Sequence, residues 1–259
     1  MPLDSPLLSI IIPAYNEENR LPATLAQVHG FIQTQPYETE VLIIENGSYD
    51  RTLQIAQEFA ATHPNFVAIH ETERGKGRAV KRGMQKASGQ FRFMCDADLS
   101  MPVAEIPRFL PPQLADYDIA IASREAPGAI RYNETAYRHL GGRLINLMIR
   151  LLALPDLQDT QCGFKCLRDV IAEDLFGSLS LTGWSFDIEM LYLARMRGYR
   201  IVEVPIPWYF NAESKVSPLK DALKMGFDIL RIRWRALRGL YRREPAPGAS
   251  RQALEHRFD

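Results

Sequence analysis

Leu7-Leu8-Ser9-Ile10-Ile11-Ile12 is a nearly unbroken apolar run, which predicts a strand covered on both faces. Pro13-Ala14-Tyr15-Asn16-Glu17-Glu18-Asn19 breaks it, and apolar positions then recur at helical spacing from Leu21 to Gln33. A second run, Glu40 to Glu45, closes on Asn46-Gly47-Ser48, and Asp50-Arg51-Thr52 caps a helix through Ala61. Asn65 to His70 reads as a third strand, and Gly75-Lys76-Gly77 opens a helix carrying Ala79, Val80, Gly83 and Ala87. The aromatic run from Phe91 to Met94 is the fourth strand and Asp118 to Ser123 the fifth; Pro102 starts a helix between them. Strands and helices alternating at this rhythm predict βαβ units and an α/β fold with a mostly parallel sheet. Ligands of such sheets lie at the carboxyl ends of the strands. Three of those ends, Tyr15-Asn16-Glu17, Glu45-Asn46-Gly47 and Asp96-Ala97-Asp98, are polar or contain glycine and are candidates for one crevice.

The second half has a different pattern. Tyr137 to Leu154 is helical, with Leu140, Leu144, Leu147, Leu151 and Leu154 on one stripe and Arg143, Asn146 and Arg150 on another. A polar loop, Asp159 to Lys165, runs into a short strand from Phe164 to Arg168. Trp184-Ser185-Phe186-Asp187-Ile188-Glu189 opens a helix ending near Gly198, Arg200 to Pro205 is a strand, and Pro207 to Ser217 a loop. The last helix, Pro218 to Tyr241, sets Leu219, Leu223, Gly226, Leu230, Trp234, Leu237 and Tyr241 beside a basic stripe of Lys220, Lys224, Arg231, Arg235, Arg238 and Arg242. Residues 1–243 then form one domain, with a donor half to about 125 and an acceptor half after it, and 244–259 a disordered tail.

Composition narrows this little. The chain has 259 residues, 46% of them hydrophobic and 24% charged, enough for a sizeable core. Its formal net charge is zero, so no global field argues for nucleic acid. Cys95, Cys162 and Cys166 form no metal-like array and no disulfide framework, which fits a reducing compartment. No basic-then-apolar leader opens the chain, and no stretch approaches the ~20 uncharged residues of a membrane span. The expected location is cytoplasmic, peripheral at the cytosolic face of a membrane.

The chemistry gathers at Asp96-Ala97-Asp98. Residues i and i+2 of an extended strand project to one side, so the two carboxylates converge where the strand ends. Carboxylates that close repel, and a divalent cation with oxygen ligands relieves the repulsion. The competing role for Asp96 and Asp98 is a strand-end turn and a helix cap.

The order Ile11-Ile12-Pro13-Ala14-Tyr15-Asn16-Glu17-Glu18, Asn-Gly-Ser-x-Asp-x-Thr, Gly-Lys-Gly, Asp96-Ala97-Asp98 resembles the family 2 glycosyltransferases, over about residues 7 to 240. The resemblance implies the GT-A fold, a Rossmann-like sheet flanked by helices and here followed by C-terminal amphipathic helices, with nucleotide-sugar donors and inversion at the anomeric carbon. Asp159-Thr160-Gln161-Cys162-Gly163-Phe164-Lys165, Trp184 to Glu189, and Trp208 with Ser214-Lys215-Val216 look like the dolichyl-phosphate β-glucosyltransferase subgroup, whose relatives make polyprenyl-phosphate mannose. One departure is plain: the family's Asp-Asp-Gly-Ser is here Glu45-Asn46-Gly47-Ser48.

By that resemblance, the donor is UDP-glucose or GDP-mannose, the acceptor a polyprenyl phosphate, and the cation Mg²⁺ or Mn²⁺ on Asp96 and Asp98. Pro13, Tyr15, Glu17, Glu45 and Asn46 line the base-and-ribose pocket, with Lys76, Asp96, Ala97, Asp98 and Arg124 on the rest of the donor. Lys76 and the backbone N–H groups around it are offered to phosphate. Lys165 and Lys215 hold the acceptor phosphate, with Asp159 orienting the site. A phosphate acceptor is already ionised and needs no base; a hydroxyl acceptor would take Asp159 or Asp187 as one, and the sequence does not separate the two. Neither Arg124 nor Lys165 has an evident carboxylate partner along the chain. The two greasy helices are expected to lie in a membrane interface, or else to pack their stripes on the core. A soluble transferase acting on a hydroxyl acceptor and a non-catalytic sugar-nucleotide or lipid-binding module are the competing readings.

Overall fold

The run Leu8 to Ile12 is apolar at every turn of the pleat because both faces of its strand are covered. Leu8, Ile10 and Ile12 enter one hydrophobic cluster and Ile11 the other. The computed structural model describes residues 5–134, 136–210 and 218–241. Its main sheet contains β1 (Leu8–Ala14), β2 (Thr39–Glu45), β3 (Phe66–His70), β4 (Phe91–Met94), β5 (Ile119–Ser123), β7 (Lys165–Arg168) and β8 (Ile201–Pro205). The order is β3-β2-β1-β4-β7-β5-β8. All pairings are parallel except those of β7, which runs antiparallel to both β4 and β5. The α/β class and the mostly parallel sheet are therefore as expected.

Helices α1 (Leu21–Gln33), α2 (Thr52–Thr62) and α3 (Lys76–Lys86) follow the first three strands as the periodicity predicts. Helices α5 (Asp169–Ser178), missing from the sequence pattern, and α6 (Phe186–Met196) cover the α3 side of the sheet. Three further details differ. After Pro102 comes a 3-10 helix, Val103–Phe109, because Pro107 lies inside it and has no N–H to donate to an α-helical ladder. Pro207–Tyr209 is not loop but a strand, β9, paired with β6 (Ile130–Tyr132) in a small second sheet. Lys215, the rest of that loop and the tail from 244 lie outside the described residues.

The two amphipathic helices, α4 (Ala136–Leu152) and α7 (Pro218–Leu237), pack on each other. Met225, Ile229 and Ile232 of α7 are buried with Ile149 of α4. The predicted leucine stripes mostly face outward instead: Leu144, Leu147 and Leu151 of α4, and Leu223, Leu230, Trp234 and Leu237 of α7, are exposed. Both helices are apolar on more than one face, and the sheet can cover only one.

Helix α3 lies close on β1 and β2 because Gly83 has no side chain; a Cβ there would overlap Ile11 Cγ2 and come within 3.1 Å of Ile44 Cγ1. Gly83→Val is therefore expected to cost about 1–3 kcal/mol through overpacking. Gly141→Ala, which meets nothing within 4 Å, is the control and should be neutral or slightly stabilising. Equal melting temperatures for the two variants in calorimetry would show that α3 is not held by this contact.

Candidate active site

Backbone pairing of β4 with β1 continues to Cys95, whose N–H donates to Ile11 O at 2.9 Å, and then the chain leaves the sheet. Asp96 and Asp98 follow at once. Leu99 is held at φ +45°, a conformation rarely adopted by an L side chain, and the Ser100 N–H donates to Asp98 Oδ1 at 3.0 Å. The strained turn keeps both carboxylates at the strand end. Burial first, and then the charge of Asp96, raises the Asp98 pKa above the ordinary carboxylate value, against the hydrogen bond from Ser100 and the Lys76 ammonium. Lys76 Nζ lies 2.7 Å from Asp96 Oδ1. Burial alone would lower the pKa of Lys76, but Asp96 and Asp187 outweigh it and the ammonium titrates above the usual lysine range.

The antiparallel course of β7 brings the Asp159–Phe164 loop to this place. Its start lies beside the end of β4, with Met94 opposite Lys165. Gly163 then packs directly on the Asp96 carboxylate, where any Cβ would collide with Oδ2. The Gly75-Lys76-Gly77 stretch has a similar steric purpose. A Cβ at Gly75, whose φ is +151°, would strike the Thr182 carbonyl, and one at Gly77 would lie 2.6 Å from Phe186 Cβ. The Arg78 N–H donates to Thr182 O at 3.2 Å, so part of the helix start expected to face phosphate is used inside the fold. Lys76 remains, lying 4.9 Å from the ring centre of the half-exposed Trp184.

Both cations read as lacking carboxylate partners have them. Arg124 Nε donates to Asp159 Oδ2 at 2.6 Å and its Nη2 to Oδ1 at 2.9 Å, while its backbone N–H donates to Oδ2 at 3.0 Å. Asp159 is fully buried. Burial pushes its pKa up, but Arg124 outweighs that and holds it at about 2. Lys165 Nζ is 3.0 Å from Asp187 Oδ1 and donates to Cys162 O at 2.5 Å, with the residue 1% exposed. Lys165 in this position touches no open surface, which argues against the expected grip on an acceptor phosphate. The reason is its place in a strand buried on both sides. Asp187 has its pKa raised by burial, opposed by Lys165 and Lys76. Glu189 is buried, and accepts from the backbone N–H groups of Ser180 and Leu181 at 3.0 and 2.7 Å and from Tyr241 OH at 2.6 Å.

On the other side of the crevice, Tyr15 stands edge-on to the exposed Tyr49, with centroids 6.3 Å apart, and the Arg74 guanidinium lies 4.2 Å from the Tyr15 ring centre. This gives a flat, cationic-aromatic surface beside Pro13. Glu17 pairs with Arg20 at 2.7 Å. Glu45 is committed inside the chain: Oε1 accepts the Ser48 N–H and Oε2 lies 2.5 Å from His70 Nδ1. Asn46, also buried, keeps an Nδ2 without a partner among the described residues. Ala97 contributes its carbonyl, which accepts Thr24 Oγ1 at 2.6 Å. Arg74, His70 and Gly163 were not singled out as site residues from the sequence. Arg74 had one signal, its position two residues before Lys76; the contact of Gly163 with Asp96 had none before strand direction was known.

The Asp159 carboxylate, as placed, braces the Ser123–Ala126 turn. Its folded pKa lies below the ordinary 3.8, so it contributes stability above about pH 4 that is lost as pH falls towards 2. Asp159→Asn leaves the partly buried Arg124 without its carboxylate, and should cost roughly 1–3 kcal/mol in denaturant unfolding at pH 7. Replacing both partners, Arg124→Leu with Asp159→Leu, should restore most of it. Loss of turnover by Asp159→Asn with no loss of stability would return Asp159 to the chemistry.

The sequence profile of the family described as glycosyl transferase family 2 matches residues 9–176. The chain is 34% identical over 260 residues to a dolichyl-phosphate beta-glucosyltransferase of Drosophila melanogaster, covering 92% of this chain and 78% of that one. Among solved structures it resembles the mannosyl-3-phosphoglycerate synthase of Rubrobacter xylanophilus, with TM-score 0.64, 17% identity and coverage of 96% and 80%. It also resembles the glucosyl-3-phosphoglycerate synthase of Mycobacterium tuberculosis in complex with Mn²⁺ and UDP-glucose, with TM-score 0.60, 17% identity and coverage of 88% and 77%. A seven-stranded sheet with carboxylates at the end of β4, a profile over most of the chain and a relative of this identity agree: the chain belongs to glycosyl transferase family 2, with the GT-A fold.

Proposed function

We propose that this enzyme transfers glucose from UDP-glucose to a polyprenyl phosphate. One geometric observation carries the choice of acceptor: both carboxylates available as general bases, Asp159 and Asp187, are already paired with a cation. A hydroxyl nucleophile must lose a proton to a base in order to attack. A phosphate monoester is already an anion and does not. Its oxygen forms the new bond to the anomeric carbon as the bond to the nucleoside diphosphate breaks, and the diphosphate leaves with the electron pair. The dolichyl-phosphate beta-glucosyltransferases to which the chain is about 30% identical support the same acceptor and sugar.

The donor set fits a divalent cation of the Mg²⁺ or Mn²⁺ kind. Asp96 and Asp98 are hard oxygen donors, and burial together with their mutual repulsion raises the pKa of Asp98. Among the described residues no third His, Cys, Asp or Glu joins them, which leaves the remaining positions to the donor's phosphates and water. Such an ion, when bound, neutralises charge developing on the diphosphate. Lys76 holds Asp96 and stands ready for a phosphate oxygen, and the Tyr15–Arg74 surface suits a nucleobase. One observation favours a hydroxyl acceptor: burial raises the pKa of Asp187, which makes it a stronger base, although its Oδ1 lies 3.0 Å from Lys165 Nζ. Turnover of UDP-glucose and GDP-mannose with a prenyl phosphate and with the matching prenyl alcohol separates these readings. Glucosylation of the alcohol alone would overturn the phosphate acceptor.

Asp98→Ala should lose about a hundredfold or more in kcat while melting normally, since removing one ligand from a charge-stabilising metal costs several kcal/mol. Full activity in that variant, or in excess chelator, would sink the metal role.

The membrane face follows from α7. No described helix is long and apolar enough to cross a membrane. Yet Leu223, Phe227, Leu230, Trp234 and Leu237 are 51–87% exposed, next to Leu144, Leu147 and Leu151 of α4. Residues 218–243 hold eight basic and two acidic side chains in a chain of zero net charge. This combination suits shallow burial in an anionic bilayer, at ~1 kcal/mol per basic residue near the surface. Flotation with anionic vesicles should fall with salt and fall again in a Leu223→Ser, Phe227→Ser, Trp234→Ser variant. Binding indifferent to lipid charge and to these substitutions would remove the membrane face.

A further inference from the structure

The reading above leaves the acceptor's phosphate without a described cation. Lys165 is sealed, Arg124 is held on both faces of its fork by Asp159, and Lys76 lies on Asp96. We infer that Lys224, on the second turn of α7, is the residue that grips the acceptor phosphate. This rests on the proposed phosphate acceptor.

Three observations place it. First, a Cβ built on Gly183 would lie 3.4 Å from Lys224 Nζ, so the ammonium sits over the segment between α5 and α6. The same Gly183 carbonyl packs against Gly77, and the next residue, Trp184, packs on Lys76, which pairs with Asp96. Lys224 is thus linked to the donor carboxylates through Gly183, Trp184 and Lys76 in turn. Second, α7 is fixed there: Ser185 Oγ donates to Asp228 Oδ2 at 2.6 Å, one turn beyond Lys224, and Met225 and Ile229 are in the core. The lysine is held at that spot by a docked helix. Third, Lys224 is exposed and has no ion pair or hydrogen bond among the described residues, unlike Lys76, Arg124 and Lys165.

Its neighbours match the rest of the acceptor. Leu223 precedes it, and Phe227 lies one turn on, both exposed. An amphiphile with an anionic head and a prenyl tail finds a cation and an apolar strip on the same helix, head towards Trp184 and tail along α7. A phosphate held at Lys224 therefore enters from the membrane side and meets the donor across Trp184.

The test uses the full chain, UDP-glucose and a short prenyl phosphate that stays in solution without a bilayer, so that vesicle binding plays no part. Lys224→Ala should raise KM for the prenyl phosphate at least tenfold, with KM for UDP-glucose changed less than twofold. Lys224→Glu should be worse, and Lys224→Arg should recover most of the loss. Higher salt should narrow the gap between wild type and Lys224→Ala. An acceptor KM within twofold of wild type in Lys224→Ala, or a parallel rise in both KM values, overturns the assignment while the prenyl phosphate reading stands. A wild-type enzyme that glucosylates the prenyl alcohol but not the phosphate overturns both.

Discussion

The site depends on two ion pairs closed over the end of β4, the partly buried Arg124–Asp159 and the fully buried Lys165–Asp187. Taking an ion out of water costs several kcal/mol even after relaxation, and only good geometry offsets it. That geometry comes from β7. Because β7 runs antiparallel between β4 and β5, the loop entering it crosses the carboxyl ends of both neighbours. Asp159 then meets Arg124 just past β5, and Gly163 meets Asp96 just past β4. Break either pair and a charge is stranded in the core, which ties the shape of the acceptor side to the stability of the sheet.

Much of this was legible in the sequence, and the part that was not has a physical cause. Apolar runs and breakers gave all seven strands of the main sheet, because a doubly covered strand must be apolar along its whole length. The polar strand ends gave the crevice. Strand direction was not legible, since a four-residue strand such as Lys165–Arg168 has the same composition whichever way it runs. Everything that depends on it was hidden too: the partners of Arg124 and Lys165, and the need for Gly163. Helix α5 escaped notice because Asp169-Val170-Ile171-Ala172 follows the strand with no linker or breaker to mark a new element. The stripes of α4 and α7 were read correctly as apolar and basic, but their periodicity cannot say which of two apolar faces the sheet takes.

The donor and acceptor sides are built on different principles. The donor side is open and polar, with a strained turn, an aromatic pair and a guanidinium at the surface. It can accept a hydrated, multiply charged ligand without paying for a buried charge. The acceptor side is closed by internal pairs, and outward on α7 it presents an apolar strip with the exposed Lys224 beside it. This division suits the proposed reaction between a soluble anion and an amphiphilic one.

Asp96 and Asp98 join the two. Burial and their repulsion raise the Asp98 pKa, and the hydrogen bond from Ser100 and the Lys76 ammonium on Asp96 oppose the rise. One positive charge against two negative ones leaves the pair incompletely balanced, and a monovalent ammonium on a single carboxylate cannot correct that by moving. A second cation can, and the donor's phosphates then return negative charge to Lys76. On the proposed reaction the charge balance of the site closes with the donor and a cation present together, and Trp184, lying on Lys76, is placed to feel that closure.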